Sequence, residues 1–568
     1  MRSLAEIRYR LRQEAVNLWL LASGMPSPGV TAPPPPPIRP AAHVPTEAVE
    51  ELLAGRFRLF GQLVSVGSAV RWRQDPIHGQ ETPLAYFRRI PYLDFAAAGD
   101  HKNIWELSRH QHWVMLAEAF AQTGDRRCVE EIERQWHSWN EQNPWLRGIN
   151  WTSALEVAFR AISWAAVDGF AGAALPADFR RRFASALYAH GMYLENNLSI
   201  YFSPNTHLLG EAVALHLLGS LYPLWPLSGR WKRRGAEIVD AHLAAKVGKD
   251  GSYFELSSYY QRYALDLFTL HYSIRGGALP EPVSRMAGFL ADLEGVPPVP
   301  PRLGDDDGGQ LYPAVARPSA VPAQSSRLHL PSGLAVLVDG PLRAIIDAGP
   351  FGPGAAGHSH ADCLSLVLTY KGQELLVDPG TYTYVADPQW RDRFRGTAFH
   401  NTVRIGGDDQ AAPDGPFRWR NPPSVAVAGW TVSEAEDTLT AECRYRGFLH
   451  RRTVRFQKPL CLVVTDEIHG PPGEHLLEQF WHCGRPAAAR SPKSFVVGNA
   501  LLLETSAAAH VGEGGEYGWV APEFGSRVPA PVIVASGRFT LPHRFETVLS
   551  LTDEPGCGEA TAIMQETK

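Results

Sequence analysis

Between residues 357 and 409 the chain gathers imidazoles and carboxylates at spacings that suit proton transfer or a divalent cation. His358 and His360 stand two apart in Gly357-His358-Ser359-His360, Asp378 follows eighteen residues after His360, and His400 twenty-two after that. Two neutral imidazoles and one carboxylate are a common ligand set for zinc or a similar ion, and the same groups move protons. The apolar runs between them read as short strands. On an extended backbone residues two apart point to one side, so one of His358 and His360 can bind metal while the other faces a substrate. Asp378 ends the run Leu375-Leu376-Val377 before Pro379-Gly380, at a sharp turn, and His400 opens a strand at Asn401-Thr402-Val403. The alternative is local hydrogen bonding at strand ends, with Asp378 capping the turn.

Two further segments carry unusual polarity for a helical region. Ser203-Pro204-Asn205-Thr206-His207 leads into the apolar stretch 208–218 and places Asn205 and His207 near a helix start, where amides and backbone N–H groups can receive an anion. N-capping by Ser203 or Asn205 accounts for the same residues. The second segment, 250–263, holds Tyr253, Tyr259, Tyr260 and Tyr263, for which packing is the plainer reading.

The elements that must hold these groups follow from length and periodicity. With 568 residues, 45% of them apolar and 10% aromatic, the chain can bury large cores in two to four domains. A net charge of -5 lacks the basic footprint of a nucleic-acid binder. Local clusters, Trp231-Lys232-Arg233-Arg234 and His450-Arg451-Arg452, read as solvated surface or structural pairing. Cys128, Cys363, Cys443, Cys461, Cys483 and Cys557 are scattered without CxxC spacing, which suits small buried residues and not a zinc ribbon or a disulfide framework. No run reaches the ~18 apolar residues of a membrane span. The apolar stretch 15–24 is a poor signal-peptide core behind Glu6 and Glu14, and residues 7–21 suit an amphipathic helix.

Residues 1–45 read as an N-terminal helix and a linker, because Pro33 to Pro37 form an extended proline tract. Residues 46–310 have helical periodicity, as in Trp105, Leu107, Trp113, Leu116 and Ala117. Prolines and a Gly-Asp-Asp-Asp-Gly-Gly run break it between 290 and 331, where the domain junction is expected. Over 311–568 the pattern is that of strands separated by turn signals such as Lys371-Gly372 and Pro471-Pro472-Gly473, as in a large antiparallel sandwich.

Several motifs, in order, resemble the heparinase II/III-like family of polysaccharide lyases: Gly99-Asp100 through His110, Gly148-Ile149-Asn150-Trp151 through Trp164, Ser203 through Leu208, Phe254 through Tyr260, then GHSHAD, LLVDPGTY and FHNTV. The resemblance covers about residues 55–485. It implies an (α/α) toroid of helix pairs followed by an antiparallel β-sandwich, with an anionic, uronic-acid-containing polysaccharide held in the cleft between them and cut by β-elimination. Asn205 would neutralise the substrate carboxylate, with His207 nearby, since fixed donors stabilise an enolate-like intermediate. Tyr260 would be base, acid or both, as a phenol of lowered pKa, with Tyr259 as its rival; on a helix the two differ by ~100° in direction, so only one should face the cleft. His358 is a second acid–base candidate. His360, Asp378 and His400 match the ligands of a divalent metal, zinc first, that braces the loops.

Arg109, His110, Trp151 and Glu156 would line the toroid as substrate-binding groups beside Glu106 and Arg160. Arg393, with Arg391 and Arg395, would overhang the cleft from the β side. Gln261 departs from relatives that carry histidine there, which puts a proton relay through that position in doubt. Two other classes stay open: a glycoside hydrolase drawing on Asp305, Asp306, Asp307, Glu211 or Glu255, and a non-catalytic glycan binder. The expected partner is an anionic polysaccharide, with no nucleic acid and no membrane span, and the protein a monomer or homodimer. A polymer substrate points to the periplasm or cell envelope, while the weak export signal keeps the cytoplasm as the alternative.

Overall fold

The computed structural model describes residues 3–30, 33–38, 43–67, 69–312 and 315–551; Cys557 lies outside them. The chain packs as two units. One comprises Met1–Lys246, Tyr263–Val283 and Gly309–Pro318, the other Val247–Arg262, Ser284–Gly308 and Ser319–Lys568.

The first unit is helical. In chain order it contains α1 (Leu4–Ser23), α2 (Thr46–Leu53), α3 (Phe95–Ala98), α4 (His101–Ser108), α5 (Gln111–Thr123), α6 (Arg126–Gln142), α7 (Ala154–Ala171), α8 (Ala177–Asn197), α9 (Thr206–Leu221) and α10 (Ser228–Lys246), followed by most of α11 (Ser258–Arg275). In α6 the buried residues Cys128, Val129, Ile132, Gln135, Trp136 and Trp139 recur every three or four positions, the stripe of a helix covered on one side. α7 is buried over nearly all of its length, because α5, α8 and α9 all pack on it; a helix enclosed on several sides needs no polar face. α4, α6, α7 and α9 begin at Asp100, Asp125, Ser153 and Asn205, whose side chains accept a backbone N–H of the first turn.

The N-terminal segment differs from its sequence reading. α1 lies on α8, where Asn17 is buried and donates to Asn197 Oδ1 at 2.9 Å. The proline tract does not stand off as a linker: Pro34, Pro36 and Pro37 lie against Gly169 and Gly172 at the end of α7, where a Cβ would meet them at 3.1–3.2 Å. Two small residues let the extended proline backbone come close. Among the described residues no helix is long and apolar enough to cross a membrane.

The second unit is built of antiparallel sheets. A five-stranded sheet runs Arg327–Leu328, Leu334–Asp339, Leu342–Asp347, Leu366–Tyr370, Gln373–Leu376. An eight-stranded sheet contains the long neighbours Glu436–Tyr445, Phe448–Gln457, Cys461–His469 and His543–Leu551, and a four-stranded one contains Glu474–His482 beside Val403–Ile405. One core joins residues of all three, among them Leu337, Leu368, Val403, Val454, Leu462 and Ile533. Alternation along Phe448–Gln457 splits the basic cluster: His450 and Arg452 point inward onto Asp466, at 2.7 Å each, while Arg451 stays outside with Glu442.

The junction segments join the sandwich because their polar atoms are satisfied there. Ser258 N and Oγ bond Leu303 O and Pro301 O, and Asp250 accepts from Ser332 N. Residues 247–262 therefore pack with the second unit although their sequence pattern continues the helical region.

Candidate active site

In the second unit the site forms around Asp305, the first acid of the Gly-Asp-Asp-Asp-Gly-Gly run. Asp305 is fully buried. Its carboxylate receives His358 Nδ1 at 3.1 Å, His360 Nε2 at 3.0 Å and Arg391 Nη2 at 2.8 Å, with Arg391 Nη1 also on it. Burial alone would raise this carboxyl, but the Arg391 guanidinium and the two imidazoles hold it well below the ordinary carboxylate range. The backbone repeats the union: Asp305 N donates to His358 O at 2.9 Å. At Gly304, with φ of +66°, a Cβ would meet that same carbonyl at 2.8 Å, so the approach requires glycine.

Tyr260 reaches this cluster from the first turn of α11. Ser257 caps that turn, accepting from Tyr260 N and donating to Asp305 O at 2.6 Å, which ties the helix start to the aspartate run. The phenol donates to Asp307 Oδ2 at 3.1 Å, and its ring lies 4.0 Å from the His358 ring. Burial first, then the charge of Asp307, raise its pKa well above that of a free phenol. The lowered pKa expected for Tyr260 is thus corrected: burial and the Asp307 carboxylate at 3.1 Å both favour the protonated phenol, and the resting group is a neutral proton donor. Burial would lower His358, but the hydrogen bond to Asp305 and the charges of Glu255, 3.4 Å from Nε2, Asp305 and Asp307 raise it above the ordinary imidazole value. Tyr259, also buried, has its ring beside Tyr260 and 6.0 Å from the Arg262 guanidinium. Helical phase points the two phenols apart, and the one directed at His358 is Tyr260.

The reading of residues 357–360 as a strand is corrected as well. Gly357 and His358 lie in a turn and Ser359 and His360 in irregular chain, and what brings both imidazoles together is convergence on Asp305 from a loop. His400 precedes its strand, which starts at Val403. His400 Nδ1 bonds Asp378 Oδ2 at 2.8 Å. The ligand atoms of His360, Asp378 and His400 fall within 4.8 Å of one another, all buried. The donor set fits a divalent ion, because His360 Nδ1 and His400 Nε2 are buried with no protein partner, and each opposite ring nitrogen is oriented by a carboxylate, as ligating histidines usually are.

In the first unit Asn205 caps α9, its Oδ1 accepting from His207 N at 3.1 Å, and both residues are half-exposed. The loop before it is held by Glu211, buried, whose carboxyl takes Ser199 N and Ser199 Oγ at 2.6 Å each. Burial raises Glu211 from 4.5 to about 8. A folded-state pKa above the unfolded one contributes stability that is full below pH 4.5 and lost as pH rises towards 8. Glu211→Gln, which keeps one acceptor for Ser199 N and one donor for its hydroxyl, is expected to unfold like the parent near pH 4.5 and at higher denaturant above pH 8; denaturant melts at the two pH values check it.

Other proposed substrate-binding residues are held by partners of their own. Arg109 is buried and held by Glu156 through Nε and Nη2, at 2.7 and 2.9 Å, and by Glu106 at 2.8 Å. His110 is fully buried, stacked 3.7 Å from Trp113, accepts the Trp164 indole N–H, and is kept neutral by burial. Trp151 packs among Trp145, His190 and Tyr193. Arg393 lies over Trp390, whereas Arg391 enters the site. Gln261 spends its amide on Tyr253 N, Gly251 O and Met286 O, so it braces the loop and relays no proton. Asp305 and Asp307 enter the sequence reading only as acids of the hydrolase alternative, and Arg391 only beside Arg393 over the cleft; three acids bounded by glycines are the signal for the cluster they form.

Comparison with known proteins bears on the family and the fold. The family profile for the heparinase II/III N-terminus matches residues 46–275 and the heparinase II/III-like, C-terminal profile residues 322–551. A heparin-sulfate lyase of Bacteroides stercoris is 21% identical over 432 residues, 65% of this chain and 62% of that protein. One of Pedobacter heparinus is 28% identical over 182 residues, 30% and 27% of the two chains. The chain therefore spans less than two thirds of the length of these relatives. Among solved structures, heparinase III superposes with a TM-score of 0.66 at 17% identity over 79% of this chain and 77% of that one. A heparan sulfate lyase of Pedobacter heparinus does so at 0.60 and 18%, over 97% and 89%. At such identities the likeness carries the fold, a toroid of helix pairs and an antiparallel sandwich.

Proposed function

Since the chain belongs to the heparinase II/III-like family, we propose that it is a polysaccharide lyase that cleaves a uronic-acid-containing, glycosaminoglycan-like polymer by β-elimination. The observation that carries this is the contact of a neutral buried phenol with an imidazole held on a carboxylate: Tyr260, His358 and Asp305. His358 takes the C5 proton through Nε2, the pair of that C–H bond forms the C4–C5 double bond, the C4–O4 bond breaks, and Tyr260 gives its proton to O4. A base works best with a pKa near the operating pH, and the carboxylates around His358 move it in that direction. Asn205, with His207 beside it, neutralises the uronate carboxylate so that C5 can be deprotonated.

A hydrolase reading has less support: among its candidate carboxyls, Asp305 is kept ionised by Arg391 and two imidazoles, and Glu211, though raised by burial, is committed to Ser199 N and Oγ. A panel of anionic polysaccharides, with heparan sulfate first, tests the proposal. A lyase yields ultraviolet absorbance from its conjugated product, a hydrolase reducing ends alone, and a binder neither. Absence of the absorbance across the panel would overturn the lyase reading.

His360 Nδ1, His400 Nε2 and Asp378 would hold a divalent ion, zinc first, which when bound supplies positive charge and a rigid tie between three loops. Elimination needs no metal-activated water, so the ion braces and does not react. Chelation is expected to lower the melting temperature and added zinc to restore it; unchanged melting together with no co-purifying metal would sink the assignment. A polymer substrate supports a periplasmic or cell-envelope location, with the cytoplasm as the alternative, which fractionation of the producing cells tests.

A further inference from the structure

A groove of about 650 Å³ runs along the helical unit where α6 and α8 meet the segment after α1. It lies within one unit and contains none of Tyr260, His358 and Asn205, though Trp151, a substrate-binding candidate by resemblance, lines it. Its size is that of a small-ligand site. The walls are aromatic: Trp136, Trp145 and Trp151 line it, with Trp145 half-buried and packed edge-on against Trp151. Trp145 is fixed through its indole N–H, which donates to Leu20 O at 3.1 Å. Trp136 and Trp151 are buried, 5% and 2% exposed, so the accessible indole face of the wall is that of Trp145. The rim is polar and cationic. Asn140 sits on it, and Arg181 and Arg182 extend from α8, both exposed, Arg181 in an exposed pair with Asp178 at 3.0 Å and Arg182 at 3.5 Å from His137 Nε2, with Glu141 a further acid on the rim.

Flat indole faces pack against the C–H face of a sugar ring, an amide beside them suits hydroxyls, and guanidinium groups pair with carboxylate or sulfate. An apolar peptide would leave the two arginines unused, and a small anion would leave the indoles unused. We propose that this groove is a second, non-catalytic binding site for an acidic oligosaccharide. It would hold a stretch of polymer away from the reacting residues and raise the affinity for long chains over short ones through effective concentration.

The test uses the full chain carrying Tyr260→Phe, to prevent turnover, with a heparin-derived hexasaccharide as probe. Hydrogen–deuterium exchange should show protection of peptides covering 136–145 and 181–186. Arg181→Glu with Arg182→Glu, both at exposed positions, should abolish that protection and weaken binding of polymer about tenfold. Trp145→Ala should do the same. In the catalytically intact chain the arginine pair should leave turnover of a tetrasaccharide unchanged. No protection of these peptides overturns the proposal, whether or not peptides containing Tyr260 and His358 are protected. So does protection that survives the arginine reversals.

Discussion

Tyr260→Phe is expected to lower the rate of elimination by about 10²- to 10⁴-fold, the span of a lost general acid, while the melting temperature hardly moves. The change removes one oxygen. Ring packing against His358 at 4.0 Å remains, and the backbone of α11 is still capped by Ser257. What disappears is the proton that Tyr260 holds at working pH, because burial and Asp307 keep the phenol neutral. Tyr259→Phe is the control and should turn over like the parent, since the ring that lies against His358 is that of Tyr260. Ultraviolet progress curves with both variants decide the matter, and parental kcat/KM in Tyr260→Phe removes the residue from the mechanism. A tyrosinate base would call for a cation at the hydroxyl. The group that meets it is a carboxylate, which is why acid and base are divided between Tyr260 and His358.

Asp305→Ala is expected to cost stability as well as activity, about 3–5 kcal/mol, the range for removing one partner of a buried ion pair. Arg391 is 1% exposed and would be left with its positive charge and its hydrogen bonds to the Pro416 carbonyl. His360 and His358 would lose the carboxylate that orients them. Asp305→Asn should lie between, since the amide keeps the shape but neither the charge nor both acceptors. Equilibrium denaturation and elimination assays on the two variants check the order. A fully stable Asp305→Ala would mean that Arg391 finds another partner and that Asp305 is not the hub of the site.

The fold was open to sequence reasoning to the extent that periodicity controls it. Cys128, Val129, Ile132, Gln135, Trp136 and Trp139 announce one buried face of a helix, and the alternation around Val454 announces a strand with one inward side. The histidines were visible as chemically capable groups because few residue types can do such work, and their order matched a known family. Less was legible where the chain comes back on itself. Asp305 looks like a solvated turn in the linear chain; it is buried because Gly304 admits the His358 carbonyl and because Arg391, eighty-six residues away, closes over it. Arg391 and Arg393 are two apart on one short helix, yet only the first reaches Asp305.

The region between 357 and 400 shows the same division. Its composition alone determined that metal-binding and proton-transferring groups would collect there, since histidine and aspartate carry that chemistry wherever the fold puts them. Tertiary structure decided which does which: His360 and His400 turn one nitrogen each towards a shared space with Asp378, while His358 lies against Tyr260. It also decided the protonation states. A phenol's pKa depends on the charges within a few ångströms and on its distance from water, and neither quantity is encoded by neighbours in sequence. The carboxylate that sets it is Asp307, forty-seven residues from Tyr260 along the chain and 3.1 Å away in space.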